Sequence, residues 1–367
     1  MAALQERLAD LTQLKHETKL VIIDSLWPRY PPVRLHDAEH HDWSPYFNYY
    51  INQCHHSLQG QPVATRTHED IVKVSYLLRK NASREDIEEK LRSALKTVDA
   101  GRKEASVTNG GERLEEKVHN TINLVARLCF MVNVGVSEAT FTPGRTKLQW
   151  IDGSLRSFLS SQFEPSTSLK DVTVRFEKAF TARNIERIAG ITIHWTDNLA
   201  DHLRMLDADD KTVAIFHHAS FLKHQAALVF PPFFPSLYPT DLIEETLRTL
   251  ALLFPQHNRE VRMWLQSRSG SSSHGIDRQL LKCGYLRLEE RQQNNFHFWH
   301  DRLVILKQAY DESRPATLSQ WWLDRRNTVQ WYTFWVAIVV LFLTIFFGLV
   351  QSIEGALQVY KAYNPTT

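Results

Sequence analysis

The chain has little cysteine, and none of it is paired in sequence. Cys54, Cys129 and Cys283 are its 3 cysteines, odd in number and far apart. With no CxxC between them, a disulfide framework or zinc ribbon is not expected and reduced thiols are the default. Charge of one sign is also lacking: 43 Lys+Arg stand against 41 Asp+Glu, a net of +2. So balanced a chain is not expected to take a nucleic-acid polyanion as its partner. There is no G-x-S-x-G, no P-loop and no G-x-G-x-x-G, so hydrolase, nucleotide and dinucleotide chemistry have no starting point. No internal repeat is present. The N-terminus, MAALQERLADLTQLKHE, lacks the continuous apolar core of a signal peptide. Its Leu4, Leu8, Leu11 and Leu14 recur at helical spacing instead.

What the chain does have is a long apolar run near its C-terminus. Trp331 to Val350, WYTFWVAIVVLFLTIFFGLV, contains no charged residue. About 20 such residues in a helix span roughly 30 Å, the hydrocarbon thickness of a bilayer. A helix apolar on every face has no side to give to water. Aromatic residues crowd both borders, with Trp321, Trp322, Trp331, Tyr332 and Trp335 before and Tyr360 and Tyr363 after, as rings do at membrane interfaces. Arg302, Lys307, Arg314, Arg325 and Arg326 precede the span, whereas Lys361 alone follows it. That bias places the N-terminal side in the cytosol. A tail-anchored, single-pass protein with membrane lipid as a partner is therefore expected, which membrane being open. Along the span Thr344, Gly348, Ser352 and Ala356 recur every four residues. Such a stripe of small side chains lets two helices approach closely, so self-association through it is expected.

The remainder reads as mainly α with a small α+β, winged-helix-like subdomain. Residues 1–66 comprise an N-terminal helix, Leu4 to Trp27, followed by a Pro- and aromatic-rich segment. Pro28, Pro31, Pro32 and Pro45 are expected to keep that segment irregular. Residues 67–165 form a helical domain. Thr67 with Asp70 and Ser83 with Asp86 are two capping boxes opening helices over His68 to Lys80 and Arg84 to Thr97; Arg113 to Val134 and Leu148 to Phe163 follow. This helix pair is not read as DNA-binding, because Glu85, Asp86, Glu88 and Glu89 would face phosphates. Residues 166–266 hold the α+β subdomain, with alternating strands at Val172 to Phe176, Ile191 to Trp195 and Thr212 to Phe216. Helices are expected there at Ala179 to Ala189, Asn198 to Leu206, Asp241 to Phe254 and Asn258 to Leu265. Residues 267–276 read as a flexible loop, and 277–330 as juxtamembrane helices, chiefly Leu286 to Tyr310 and Leu318 to Arg326. The span at 331–350 and a short tail at 351–367 complete the chain.

Candidate chemistry is sparse. His36-Asp37-Ala38-Glu39-His40 matches H-x-x-E-H, in which two His on one helical face bind zinc and the Glu activates water. The surrounding prolines leave little room for the helix that this geometry needs. His36, Glu39 and His40 thus stand as candidate metal ligands of a membrane-tethered zinc hydrolase, and His41, Cys54, His55 and His56 as ligand types without a compact spacing. His217-His218, and His297 with His300, sit beside Phe216, Phe298 and Trp299, where a hydrogen-bonded histidine is the ordinary reading. No cofactor and no catalytic residue is assigned. The chain is read as a non-enzymatic binding protein with a cytosolic protein partner.

WWLDRRNTVQWYTFWVAIVVLFLTIFFGLVQSIEGALQVYKAYNP, from Trp321 to Pro365, resembles the C-terminal signature of a family of uncharacterised fungal membrane proteins. NFHFWHDRLVILKQAYDESRP, ARNIERIAGITIHWTDNLADHLRML and LIEETLRTLALLFPQ are similar to that family too, so the resemblance covers most of Val172 to Pro365. The family implies membrane residence and no particular activity. It is loosely compared with CorA-type magnesium channels, which would make the chain a degenerate oligomeric channel. Here, however, Gly348-Leu349-Val350-Gln351 stands where such channels have Gly-Met-Asn, and no second span follows.

Overall fold

The structure, a computed structural model, describes residues 2–8, 14–28, 42–60, 62–100, 110–135, 148–165, 175–207, 209, 211–228, 236–269, 275–313 and 328–363. It divides into two units, one of Met1–Glu186 with Ile191–Glu312 and the other of Arg187–Gly190 with Ser313–Thr367. The larger unit contains helices α1 (His16–Leu26), α2 (Ser44–Gly60), α3 (His68–Arg79), α4 (Arg84–Ala100), α5 (Gly110–Phe130), α6 (Leu155–Gln162) and α7 (Ala182–Arg187). Strands β1 (Thr192–Thr196) and β2 (Thr212–Phe216) follow, then α8 (Ala219–Ala226), α9 (Leu242–Leu253), α10 (Arg259–Ser269) and α11 (His300–Glu312). The smaller unit is dominated by α12 (Thr328–Tyr363). The protein is thus mainly helical with one small sheet and one long apolar C-terminal helix.

α5 is the post around which the larger unit is built. α2, α3 and α4 all pack on it, and Val118, Ile122, Leu124, Val125, Leu128 and Cys129 are buried. Burying an apolar side chain of this size contributes about 2 kcal/mol. A helix end inside a core poses a problem, because the last four carbonyls have no partner within the helix. Aromatic side chains answer it. Tyr49 Oη donates to Arg127 O at 3.2 Å, Tyr46 Oη to Leu128 O at 2.9 Å, Trp27 Nε1 to Cys129 O at 3.1 Å and Tyr238 Oη to Phe130 O at 2.7 Å. The aromatic richness of residues 27–50 therefore serves a polar purpose as well as an apolar one. Met131, at φ 48°, turns the chain out of the helix.

Asn198 fastens the next segment, accepting from Asn133 N at 3.0 Å while Leu199 N donates to Met131 O. β1 and β2 pair in parallel, with Thr192 opposite Thr212 and Thr196 opposite Phe216. The parallel pairing differs from the antiparallel hairpin that a winged-helix-like arrangement would need. Val213, Ala214, Ile215 and Phe216 are all buried, as expected for a strand covered on both faces.

Several sequence expectations hold in detail. Thr67 and Asp70 form a full capping box at α3, and Ser83 Oγ accepts from Asp86 N at 3.2 Å. Gly190, at φ 72°, follows α7. Others are corrected. The helix expected from Leu4 begins at His16; residues 2–5 form a 3-10 turn, and Arg7 pairs with Thr67 as an extended bridge. The segment expected to be irregular carries α2, because Pro45 falls in the first helical turn, where a missing N–H costs nothing. Asn198 to Leu206 gives one 3-10 turn, Leu199–Asp201, since Leu203 adopts φ 59°. Residues 267–269, expected to open a loop, are the last of α10, and residues 270–274 lie outside the described residues. Leu286 to Tyr310 is α-helical only from His300, with a 3-10 turn over Gln293–Asn295 and Arg175 bridged to Gln292 upstream. Residues 171–174 and 314–327 lie outside the described residues, and with them part of the first strand and the helix at 318–326.

Candidate functional site

The polar constellation of the larger unit follows from the parallel register. Because Thr196 is opposite Phe216, Asp197 and His217 leave neighbouring strands at the same, carboxyl edge. That edge is where open α/β sheets gather their ligands. Consecutive side chains of a strand would point to opposite faces, but the chain leaves β2 after Phe216. His218, at φ −79° and ψ 69°, is the N-cap of α8. Both rings consequently lie side by side, with centroids 4.1 Å apart and planes inclined by 28°. Asp197 Oδ1 receives both: His218 Nε2 stands 2.7 Å away and His217 Nε2 3.2 Å away. Among the described residues these three form the group whose ligand atoms all lie within 4.8 Å of one another.

The surroundings hold the histidines rigidly. Trp195 meets His217 edge-on at 6.2 Å, and Tyr49 and Phe216 flank His218 at 6.1 and 5.4 Å. Behind His217 sits Asp277, whose carboxylate accepts from Ser220 N at 2.6 Å, Ser220 Oγ at 3.1 Å and Gln279 N at 2.8 Å. It thereby ties the start of α8 to the turn after Gly275. The Asp277 amide N–H reaches His217 Nδ1 at 3.5 Å, the outer limit of a hydrogen bond.

Exposure is uneven across the cluster. The imidazoles are 4% and 1% exposed, whereas the Asp197 side chain is 38% exposed, so the carboxylate is the face that meets solvent. Burial by itself would push the Asp197 carboxyl up, yet hydrogen bonds from His217 and His218 outweigh it and hold the group well below the usual carboxylate range. Burial, with His217 alongside, brings His218 down to about 4. Asp277 moves the other way: burial raises it, and the hydrogen bonds from Ser220 and Gln279 offset part of the rise. At neutral pH the cluster thus pairs one carboxylate with a neutral His218 ring.

The residues singled out from sequence fall elsewhere. His36, Glu39 and His40 lie outside the described residues, as do Trp321, Trp322, Arg325 and Arg326. His56 Nδ1 contacts Asn52 O of its own helix, and Cys54 is a buried free thiol. His300 bonds Gln293 and Asp301, while the His297 backbone N–H donates to Glu245. In α12, Trp331 to Tyr360 is long and apolar enough to cross a membrane, with mean hydropathy 2.6 and none of its most apolar window buried. Trp331 packs against Tyr332 and Trp335 at 5.2 and 6.1 Å, and Tyr360 and Tyr363 are exposed. The hydroxyls of the small-residue stripe turn inward, Thr344 Oγ1 to Val340 O and Ser352 Oγ to Gly348 O, each at 2.8 Å. A side chain at Gly348 would meet nothing within 4 Å, and Ala356 is exposed.

From sequence alone His217 and His218 are ordinary hydrogen-bonded histidines, and nothing singles out Asp197. The signal that could have found the three together is the pair of β-rich runs ending in Trp195-Thr196-Asp197 and Phe216-His217-His218, which a parallel register brings together. Comparison with protein families, with curated proteins and with solved structures finds none that matches the chain.

Proposed function

We propose that the chain is a single-pass, tail-anchored membrane protein whose larger unit faces the cytosol and binds a protein partner without catalysis. The observation that carries this reading is α12. The helix from Trp331 to Tyr360 extends over about 45 Å at 1.5 Å per residue, enough for the hydrocarbon core and one interface. Its Phe342, Leu341 and Phe347 are 67%, 60% and 57% exposed, a continuous apolar surface that water does not tolerate at this size. The Arg and Lys excess on its N-terminal side supports the cytosolic placement. A CorA-like pore finds less support, because the stripe's hydroxyls are closed on their own backbone and would offer little to an ion.

Topology is tested by adding an Asn-x-Ser sequon beyond Thr367 and supplying microsomes after translation is complete. The expected product resists carbonate extraction, is glycosylated at the added site and is unmodified at Asn81. Carbonate extraction of the chain, or sugar on Asn81 instead, would overturn the reading.

Self-association has its own test. The small-residue stripe is proposed to bring copies of α12 together, with the gain coming from close packing, since lipid tails remove the hydrophobic drive. Gly348→Leu introduces bulk where a single chain has open space, so it leaves the protomer intact and obstructs the contact. In mild detergent the parent is expected to run as an oligomer and the variant as a monomer. Equal masses for the two would remove the stripe from the proposal.

A further inference from the structure

From the geometry at the carboxyl edge of the sheet we infer a divalent transition-metal site of the zinc class, with His217 Nε2, His218 Nε2 and an Asp197 carboxylate oxygen as ligands. Nothing in the membrane reading requires it, and it stands or falls separately.

The donor set comes first. Two imidazoles and one carboxylate suit zinc and its borderline neighbours, whereas magnesium and calcium take oxygen shells. Zinc bonds of about 2.0–2.1 Å in tetrahedral array place neighbouring donors about 3.4 Å apart. The Asp197 oxygen already stands 3.2 Å from one Nε2 and 2.7 Å from the other. All three ligand atoms lie within 4.8 Å of one another, and opening the shorter distance by about 0.7 Å, carried mainly by the half-exposed carboxylate, makes room for the ion. The half-exposed carboxylate supplies the entry path, and the two rings, which cannot swing because Trp195, Tyr49 and Phe216 flank them, supply preorganisation.

A ring that binds metal through Nε2 carries its proton on Nδ1. Binding replaces the Nε2 contacts to Asp197 at 3.2 and 2.7 Å with bonds to the ion, and His217 also gives up the 3.5 Å contact from Asp277 N. Three protein ligands leave at least one coordination position on the solvent side, the pattern of zinc sites that bind water or a small ligand rather than of closed structural sites. The site differs from the H-x-x-E-H candidate in every ligand.

The experiment uses full-length protein in mild detergent, stripped with a chelator and titrated with Co²⁺, then with Zn²⁺. One Co²⁺ per chain is expected, with the visible bands of low coordination number, no thiolate charge-transfer band, and displacement by Zn²⁺. Loss of an outer partner alone costs 10–100-fold in affinity, so His217→Ala, His218→Ala and Asp197→Ala are each expected to weaken binding by about 100-fold or more. His36→Ala with His40→Ala is expected to leave binding unchanged. Absence of stoichiometric binding, retention in all three site variants, or loss in the His36/His40 variant would overturn the proposal. Thermal unfolding of the parent provides a readout independent of variant folding. Zn²⁺ should raise the midpoint, because an ion that binds the native state stabilises it, and Mg²⁺ should not; equal response to both, or to neither, counts against the site.

Discussion

Glu245→Ala is expected to cost the larger unit about 4 kcal/mol, a large part of the stability of an ordinary domain. Glu245 sits within α9 and is 3% exposed. Its Oε1 accepts from Phe298 N and Trp299 N, and its Oε2 from His297 N, all at 2.8 Å. These three N–H groups lie just ahead of α11, where a helix start leaves its donors without intrahelical partners and gathers positive charge. The carboxylate therefore caps α11 from another helix. Trp299, itself 1% exposed, is pinned in the same place by Nε1 donating to Thr246 Oγ1 at 2.9 Å. Alanine would leave the buried Trp299 N–H and the part-buried His297 and Phe298 N–H groups without their acceptor, beside a new cavity. Gln keeps one acceptor oxygen but turns an amide donor toward at least one N–H, so Glu245→Gln should fall between the parent and Ala. Denaturant unfolding of the full chain in mild detergent, followed by tryptophan fluorescence, reads both. A loss below about 1 kcal/mol for Ala, the size of one ordinary hydrogen bond, would mean that the start of α11 is held by something else.

The same residue shows why part of the fold was hidden in the sequence. Leu286 to Tyr310 has helical composition, yet Glu245 takes the N–H groups of residues 297–299, and the Arg175 to Gln292 bridge interrupts the preceding stretch of turns. Such partners lie 52 to 54 positions from the N–H groups they hold and leave no local trace. Local chemistry was readable where the cause is local: Thr67 and Asp70 satisfy each other's backbone within one turn, and α12 is apolar along its whole span. Pro45 misled because a proline breaks a helix interior but suits its first turn. The strands were legible as strands from their alternation, but their neighbours and direction were not. Asp197, His217 and His218 meet only because β1 and β2 run in parallel with Thr196 against Phe216. Read singly, each was an ordinary polar residue at the end of an apolar run.

Acid should destabilise the larger unit well above the range in which carboxylates titrate. His68 and His202 are both fully buried. Burial brings His68 down to about 4, and burial with the Arg302 charge brings His202 down to about 3, from an ordinary 6.5. The contacts explain why neither ring accepts a second proton. His202 Nδ1 accepts the Phe216 N–H at 3.2 Å, so Nε2 holds the proton and donates to Thr249 Oγ1 at 2.7 Å; charging the ring would set two donors face to face at the end of β2. His68 Nδ1 pairs with Tyr50 Oη at 2.7 Å, and its Nε2 meets no partner among the described residues, so a second proton would have no acceptor. Above pH 6.5 both rings are neutral in the folded and unfolded chain, and they add no pH dependence. As pH falls below 6.5 the unfolded chain gains two protons that the native one refuses, and stability drops by about 1.4 kcal/mol per pH unit for each ring. Between pH 7 and pH 5 that amounts to about 4 kcal/mol for the pair; the His68 contribution levels off below about 4 and that of His202 continues to about 3. Asp197, held far below the usual carboxylate range, adds a loss of the same sign only at lower pH, so the two windows separate. Denaturant midpoints measured at pH 7, 6 and 5 should fall steadily, with His68→Gln removing about a third of the slope, since the buried His218, also brought down to about 4, adds its own share. A midpoint unchanged from pH 7 to pH 5 would mean that these rings reach solvent and take their protons without unfolding.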